Sequence, residues 1–321
     1  MIEAIIRRLF DTIIVLLFVS IIIFSGIYVV GNPIDMLISP TATQKDMEEA
    51  IKALGLDKPL WNQYFDFLLN ALQGNLGKSF IFNEPAIELI LTKLPATLEL
   101  AFFALFLAII IGLPLGLIAG LKSGSIIDRI IMSSSILGFS LPTFWLGVTM
   151  ILFFSVNLGW LPPGGRGPTT EFLGIKVSFL NLEGLKYIIL PGLNLALFKI
   201  SLVARLARSG TKEALLQDYV KFAKAKGLND SRIILVHVLK NILIPIVTVM
   251  GMELGSLIAY AMVTETIFNW PGSGKLIIDS IYLLDRPVIV AYLLIITSII
   301  IFINLIVDLV YSFLDPRVRL K

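Results

Sequence analysis

The sequence predicts an all-α membrane protein of six transmembrane helices, with both termini cytoplasmic and a helical extracytoplasmic insertion between the first two spans. Three observations carry that expectation. The 321 residues are 57% hydrophobic and 15% charged, with a mean hydropathy of +0.90, too apolar for a soluble core of this size. Uncharged runs recur that are long enough to cross a hydrocarbon layer, for which about 20 residues suffice. Finally, Lys and Arg are unevenly placed: 15 lie in short segments on the side of the N-terminus, against ten in the opposite and much longer loops. That bias marks the cytoplasmic side, so the net charge of +3 reports topology and not a nucleic-acid surface.

Taken in order, residues 1–30 hold Arg7, Arg8 and an uncharged run over 12–30, longer than a signal-peptide core and without a small-residue cleavage site. This reads as an uncleaved first span. Residues 31–96 form the extracytoplasmic region, with helical periodicity over 46–54 and 60–72 and punctuation at Asp57, Lys58, Pro59, Gly74 and Asn75. A second span covers 97–121, with Glu99 near its outer end. A third covers 130–158 and is interrupted by Pro142. The outer loop GWLPPGGRG at 159–167 then argues against regular structure. Spans at 187–206 and 242–264 each carry charge, Lys199 and Arg205 in one and Glu253 in the other. A central charge costs about 2.5–3.5 kcal/mol on insertion and each Leu, Ile, Val or Phe returns about 0.3–0.6, so ten or so of these offset it. The last span is 288–307, and 313–321 is a basic cytoplasmic tail. The core bundle is therefore 97–312, with a cytoplasmic loop at 207–241.

Within that loop, QDYVKFAKAKGLNDSRIILVHVLKN at 217–241 is polar and basic between apolar blocks, and reads as two short helices broken at a glycine. The first sets Leu215, Leu216, Tyr219, Phe222 and Ala223 on one side and turns Lys221, Lys224 and Lys226 elsewhere. Gly227 suits a left-handed cap, and Asn229 or Ser231 suits the start of the next helix. Such an element needs a protein or the membrane surface to cover its apolar side.

The phrase YVKFAKAKGL resembles the cytoplasmic coupling loop of ATP-binding-cassette (ABC) importer permeases, in the form used by the dipeptide, oligopeptide and nickel branch. Ala223 and Gly227 match the general pattern, Lys221 and Phe222 replace its Glu and first Ala, and Lys240 stands where it has a proline, with Pro245 following later. That branch shows the same departures. GNP at 31–33, LGLDKPLWNQY at 54–64 and GNLGKS at 74–79 are similar to its first outer region, and Pro142 and Trp145 fit its third span. TETIFNWPGSGKLIIDSI at 264–281, Asp285 with Pro287, and DPR at 315–317 continue the match. The resemblance implies coupling to an ATPase through Tyr219, Ala223, Lys224, Lys226, Gly227 and Leu228. It implies an outer gate at Glu265, Phe268, Pro271, Gly272 and Gly274, for which a structural loop is the alternative. It also implies partners: a second related permease, two ATPase subunits carrying ATP and Mg, an extracytoplasmic solute-binding protein and membrane lipid, in a prokaryotic inner or cytoplasmic membrane. The solute stays open among dipeptides, oligopeptides, nickel and sugar oligomers.

The chain's own chemistry points away from an enzyme. There are no cysteines, and His237 is the single histidine, read as a structural loop residue, so thiol, HExxH and bis-histidine sites are excluded. GKS at 77–79 fails as a phosphate loop because position 72 is Leu72, and GSGK at 272–275 fails at Asn269 and Leu276. No cofactor, metal or nucleic acid is expected on this chain. Intramembrane acids face a bundle interior or a wet cavity, so Glu253 is expected on the translocation path, the alternative being a packing acid paired with Lys199 or bonded to Asn304. The rivals are a solvated basic loop without a docking role, a self-sufficient secondary transporter or channel, which calls for inverted repeats and paired intramembrane charges, and a membrane-bound enzyme.

Overall fold

The computed structural model describes residues 2–29, 57–172 and 174–314, with Lys45 and Ile51. The predicted helix at 46–54, the GNP phrase and the DPR tail lie outside the described residues. The chain divides into two compact units, Met1–Leu94 with Lys275–Ile301, and Pro95–Gly274 with Phe302–Lys321.

In the first unit, α1 (Ile2–Val29) contributes an apolar stretch at Thr12–Gly26. Helix α2 (Leu60–Leu72) has the bounds its periodicity predicts and lies on α1 through Tyr64. The Tyr64 hydroxyl and Ser20 Oγ are 2.8 Å apart, and Phe24 meets the Tyr64 ring edge-on at 5.4 Å between centroids. Beyond it, GNLGKS folds into a turn centred on Ser79. Its Oγ accepts from Ile81 and Phe82 N–H at 3.2 and 2.9 Å and donates to Asp285. The GKS serine is therefore a turn anchor. Gly77, at φ +87°, lies where a Cβ would meet Pro287 at 3.3 Å, so two phrases far apart in the chain are in contact.

Among the described residues, four helices are long and apolar enough to cross a membrane: α3 (Ala86–Leu121), α6 (Leu182–Leu216), α8 (Asp230–Ile267) and the apolar part, Arg286–Val307, of α10 (Arg286–Leu314). A fifth candidate is the pair α4 (Ile126–Ser140) and α5 (Thr143–Asn157), bent by 103° at the proline that interrupts the predicted third span. Leu141 is extended at φ −82°, ψ 134°, because a following proline excludes the helical region, and Pro142 has no N–H to continue the ladder.

Several predicted boundaries need correction. Helix α3 begins well before position 97, and Glu99 is buried inside it. Helix α6 runs on to Leu216, so Leu215 and Leu216 form its last turn and not the start of the short helix that follows. His237 lies within α8, in a π-helical segment at Ile233–Val238, and not in a loop. The outer loop after α5 is irregular over 159–167, as its Pro and Gly content predicts, and is followed by a two-stranded antiparallel pair, β1 (Thr170–Phe172) and β2 (Ile175–Val177), that the sequence did not announce.

Helices α3 and α6 approach through glycine. A Cβ at Gly112 would lie 2.9 Å from Val203 Cβ, one at Gly116 2.6 Å from Ala207 Cβ, and one at Gly120 2.6 Å from Thr211 Cβ. Spacing of four residues puts all three on one face, the small-residue stripe by which membrane helices come close enough for dispersion to act along their backbones. The core of this unit joins Ala108 of α3, Val203, Ala207 and Ala214 of α6, and Ile242, Ile246 and Met250 of α8.

Candidate coupling element, outer turn and intramembrane charge pair

After α6 the backbone turns at Gln217 (φ −73°, ψ 150°) into α7 (Asp218–Ala225). Asp218 opens this helix and Lys221 donates to it at 2.9 Å, which holds the Asp218 carboxyl below its ordinary pKa. The end is a complete left-handed cap: Gly227 N–H reaches Lys224 O at 2.9 Å and Leu228 N–H reaches Ala223 O at 3.2 Å, with Gly227 at φ +75°. Asn229 then starts α8, accepting from Ser231 N–H at 3.2 Å, the first of the two predicted alternatives.

The buried face of α7 differs from the predicted one. Val220 and Ala223 are buried and join the bundle core, while Tyr219 and Phe222 face outward, Phe222 at 62% exposure. Of the predicted coupling residues, Ala223 is an internal anchor and Leu228 is half-buried against the same core. Tyr219, Lys224, Lys226 and Gly227 are exposed. Lys226 Nζ sits 4.5 Å from the Phe222 ring centroid. Val220 was missed because a helix this short has two apolar stripes, and only packing decides which is covered.

The outer turn is the second candidate. Helix α8 ends at Ile267, Phe268 to Gly272 turn, and α9 (Ser273–Tyr282) begins. Glu265 and Phe268 are fully buried, whereas Pro271 is exposed. The glycines are required by proximity: a Cβ at Gly272 would run into the Glu265 carboxylate, and one at Gly274 would lie 2.6 Å from Met262 Cα. Buried Trp270 donates from its indole to Ala96 O at 2.9 Å, and Thr97 Oγ1 accepts from Ser273 N–H at 2.8 Å. Beside this turn, Glu99 accepts from Arg166 Nε at 2.9 Å and Nη2 at 2.5 Å, from Ser178 N–H at 2.5 Å and Oγ at 2.7 Å, and from Phe179 N–H at 3.2 Å. A buried carboxylate thus ties the hairpin loop to α3.

The third candidate is Glu253. Lys199 of α6 donates to its carboxylate and, at 2.8 Å, to Ser256 Oγ. Of the two alternatives, the structure shows the pairing with Lys199. The Lys199 side chain is 5% exposed and that of Glu253 28%.

These elements define a class, a helical multi-pass membrane protein with a capped basic element between two of its spans. The family model described as "Binding-protein-dependent transport system inner membrane component" matches residues 112–320, and the corresponding N-terminal model matches residues 1–101. The chain belongs to this family. It is 41% identical over 302 residues to a di/tripeptide transport system permease protein of Pseudomonas aeruginosa, covering 90% of each chain. It is 37% identical to a dipeptide permease of Alkalihalophilus pseudofirmus, with 98% of each covered, and 35% identical to a glutathione permease of Escherichia coli, with 100% of each covered. Among solved structures, a chain of the inward-facing MetNI methionine ABC transporter superposes with a TM-score of 0.53 at 20% identity, covering 71% of this chain and 96% of that one. That likeness concerns the fold.

Proposed function

We propose that the chain is a permease subunit of an ABC importer for di- or oligopeptides, forming the translocation path with a second, related permease. Two ATPase subunits would bind and hydrolyse ATP with Mg, and an extracytoplasmic binding protein would deliver the solute. The observation that carries this reading is kinship along the whole chain with di- and tripeptide and dipeptide permeases, at 34–41% identity. Lys and Arg asymmetry supports six spans with both termini cytoplasmic and residues 31–96 outside.

The coupling step follows from α7. Its outward face presents Tyr219, Phe222, Lys224 and Lys226, a basic and aromatic surface suited to another protein. Its inward face presents Val220 and Ala223 to the core shared with α6 and α8. Close-packed interiors transmit displacement, so an ATPase that moves α7 moves both spans, and through them the path. Glu253 and the outer turn at Glu265, Phe268, Pro271, Gly272 and Gly274 are the groups we assign to the path and its outer gate.

The test is a mild-detergent pull-down of the tagged chain from its native membrane, followed by reconstitution. Co-purification of a second permease and two ATPase copies, with ATP-dependent uptake of a labelled dipeptide, is the expected result. Recovery of the chain alone, or as a homo-oligomer without ATPase, would overturn the reading.

A further inference from the structure

The Lys199–Glu253 pair is an unusual structural fastening. Charged side chains at membrane depth generally face a bundle interior or a wet cavity. Here Lys199 is buried but Glu253 is open on one side. Phe198, the neighbour of Lys199, stacks on Phe139 of α4 with ring centroids 4.4 Å apart and planes 28° apart. Lys199 Nζ lies 5.0 Å from the Phe198 ring centroid, and the Arg205 guanidinium 5.2 Å from that of Phe139. Phe139 is 47% exposed, and it begins the bend between α4 and α5, where every residue from Phe139 to Trp145 is exposed. Non-helical backbone at membrane depth is tolerated only where protein or a watery cavity covers it. One acid, one base and an aromatic shelf therefore meet beside a break that calls for cover by protein or by a watery cavity.

Building on the importer reading, we propose that Lys199 and Glu253 form a transient intramembrane site for a zwitterionic peptide. Lys199 takes the α-carboxylate, Glu253 takes the α-amine, and the Phe139–Phe198 stack receives an apolar side chain. A free peptide carries both charges on one molecule. It can therefore enter the pair and replace each partner in one step, leaving no charge unpaired in a poorly hydrated place. Two residues span at most about 7 Å, a separation within the swing of the flexible four-carbon stem of lysine. When the peptide leaves, the pair closes on itself. A solute lacking one terminus leaves one of the two charges without a partner, so the site discriminates against N-acetylated and C-amidated peptides.

The experiment uses the complete importer in proteoliposomes, comparing wild type with Lys199→Met, Glu253→Gln and the double variant. Peptide binding to the isolated binding protein is measured separately, so that discrimination there is subtracted. The proposal expects each single variant to lower uptake of a free dipeptide on the order of tenfold, the size of one charge-assisted contact, and to lose discrimination against one blocked terminus only, N-acetylated peptides for Glu253→Gln and C-amidated ones for Lys199→Met. It expects the double variant to be at least as defective as either single variant, although it strands no charge. Recovery of uptake in the double variant would overturn it, because a fastening tolerates removal of both charges. If the single variants fail to assemble, the double variant alone decides in the same way. Failure of the importer reading is a different result: wild type then takes up no peptide.

Discussion

Glu99 shows how much a single side chain holds in place. Its carboxylate accepts from Arg166, Ser178 and Phe179, and it is the point at which the hairpin loop attaches to α3. Removing one member of a buried pair strands the other, at a cost of about 3–5 kcal/mol. Glu99→Ala is expected to loosen the loop, read as faster amide exchange over residues 170–181 and a lower unfolding temperature, while α7 keeps its protection. An unchanged exchange rate there would refute the attachment. The sequence showed a lone acid near the outer end of a span. It did not show that Arg166, 67 residues on, is its partner, because pairing across that distance depends on where the loop lands.

At the level of elements, two glycine positions are used in opposite ways. Gly227 is free of neighbours, with nothing within 4 Å of a built Cβ, and is required only by its backbone angle of φ +75°. Gly227→Ala therefore costs about 1–2 kcal/mol of local strain, whereas Gly227→Pro also forces φ near −65° and deletes the N–H that caps Lys224. Proline is expected to uncouple ATP hydrolysis from uptake while the subunit remains inserted. Normal uptake by that variant would count against a docking role. Gly116 is required by proximity instead, with the added Cβ 2.6 Å from Ala207 Cβ. Gly116→Val should separate α3 from α6 and prevent accumulation of folded subunit, measured as a loss of the monodisperse peak in detergent. The capping glycine is legible in the sequence because it depends on local spacing, whereas the glycine repeat at 112, 116 and 120 gains its meaning only from the helix packed against it. The face of α6 that receives the repeat is not legible there, nor is the choice of Val220 over Tyr219 as the buried side of α7.

For the whole molecule the decisive quantity is sidedness. The chain has no cysteine, so a single one placed at an exposed position reports which side it faces. Asn229→Cys, beside the Gly227 cap, is expected to react only with reagents that reach the cytoplasm. Asn75→Cys, in the turn after α2, is expected to react from outside, and the reverse pattern would invert the proposed topology.

Composition and the short glycine-punctuated phrases were enough to determine a helical membrane protein, its family and the position of the Gly227 cap. Each depends on residues close together in the chain: hydropathy on the content of a span, and a cap on four or five consecutive residues. The tertiary structure alone decided that Ser79 anchors a turn on Asp285, that Glu99 carries the outer loop, and that Glu253 faces Lys199. Those are meetings of residues from different helices, and a buried charge finds its partner only after the packing of apolar and small residues has set which helices are neighbours.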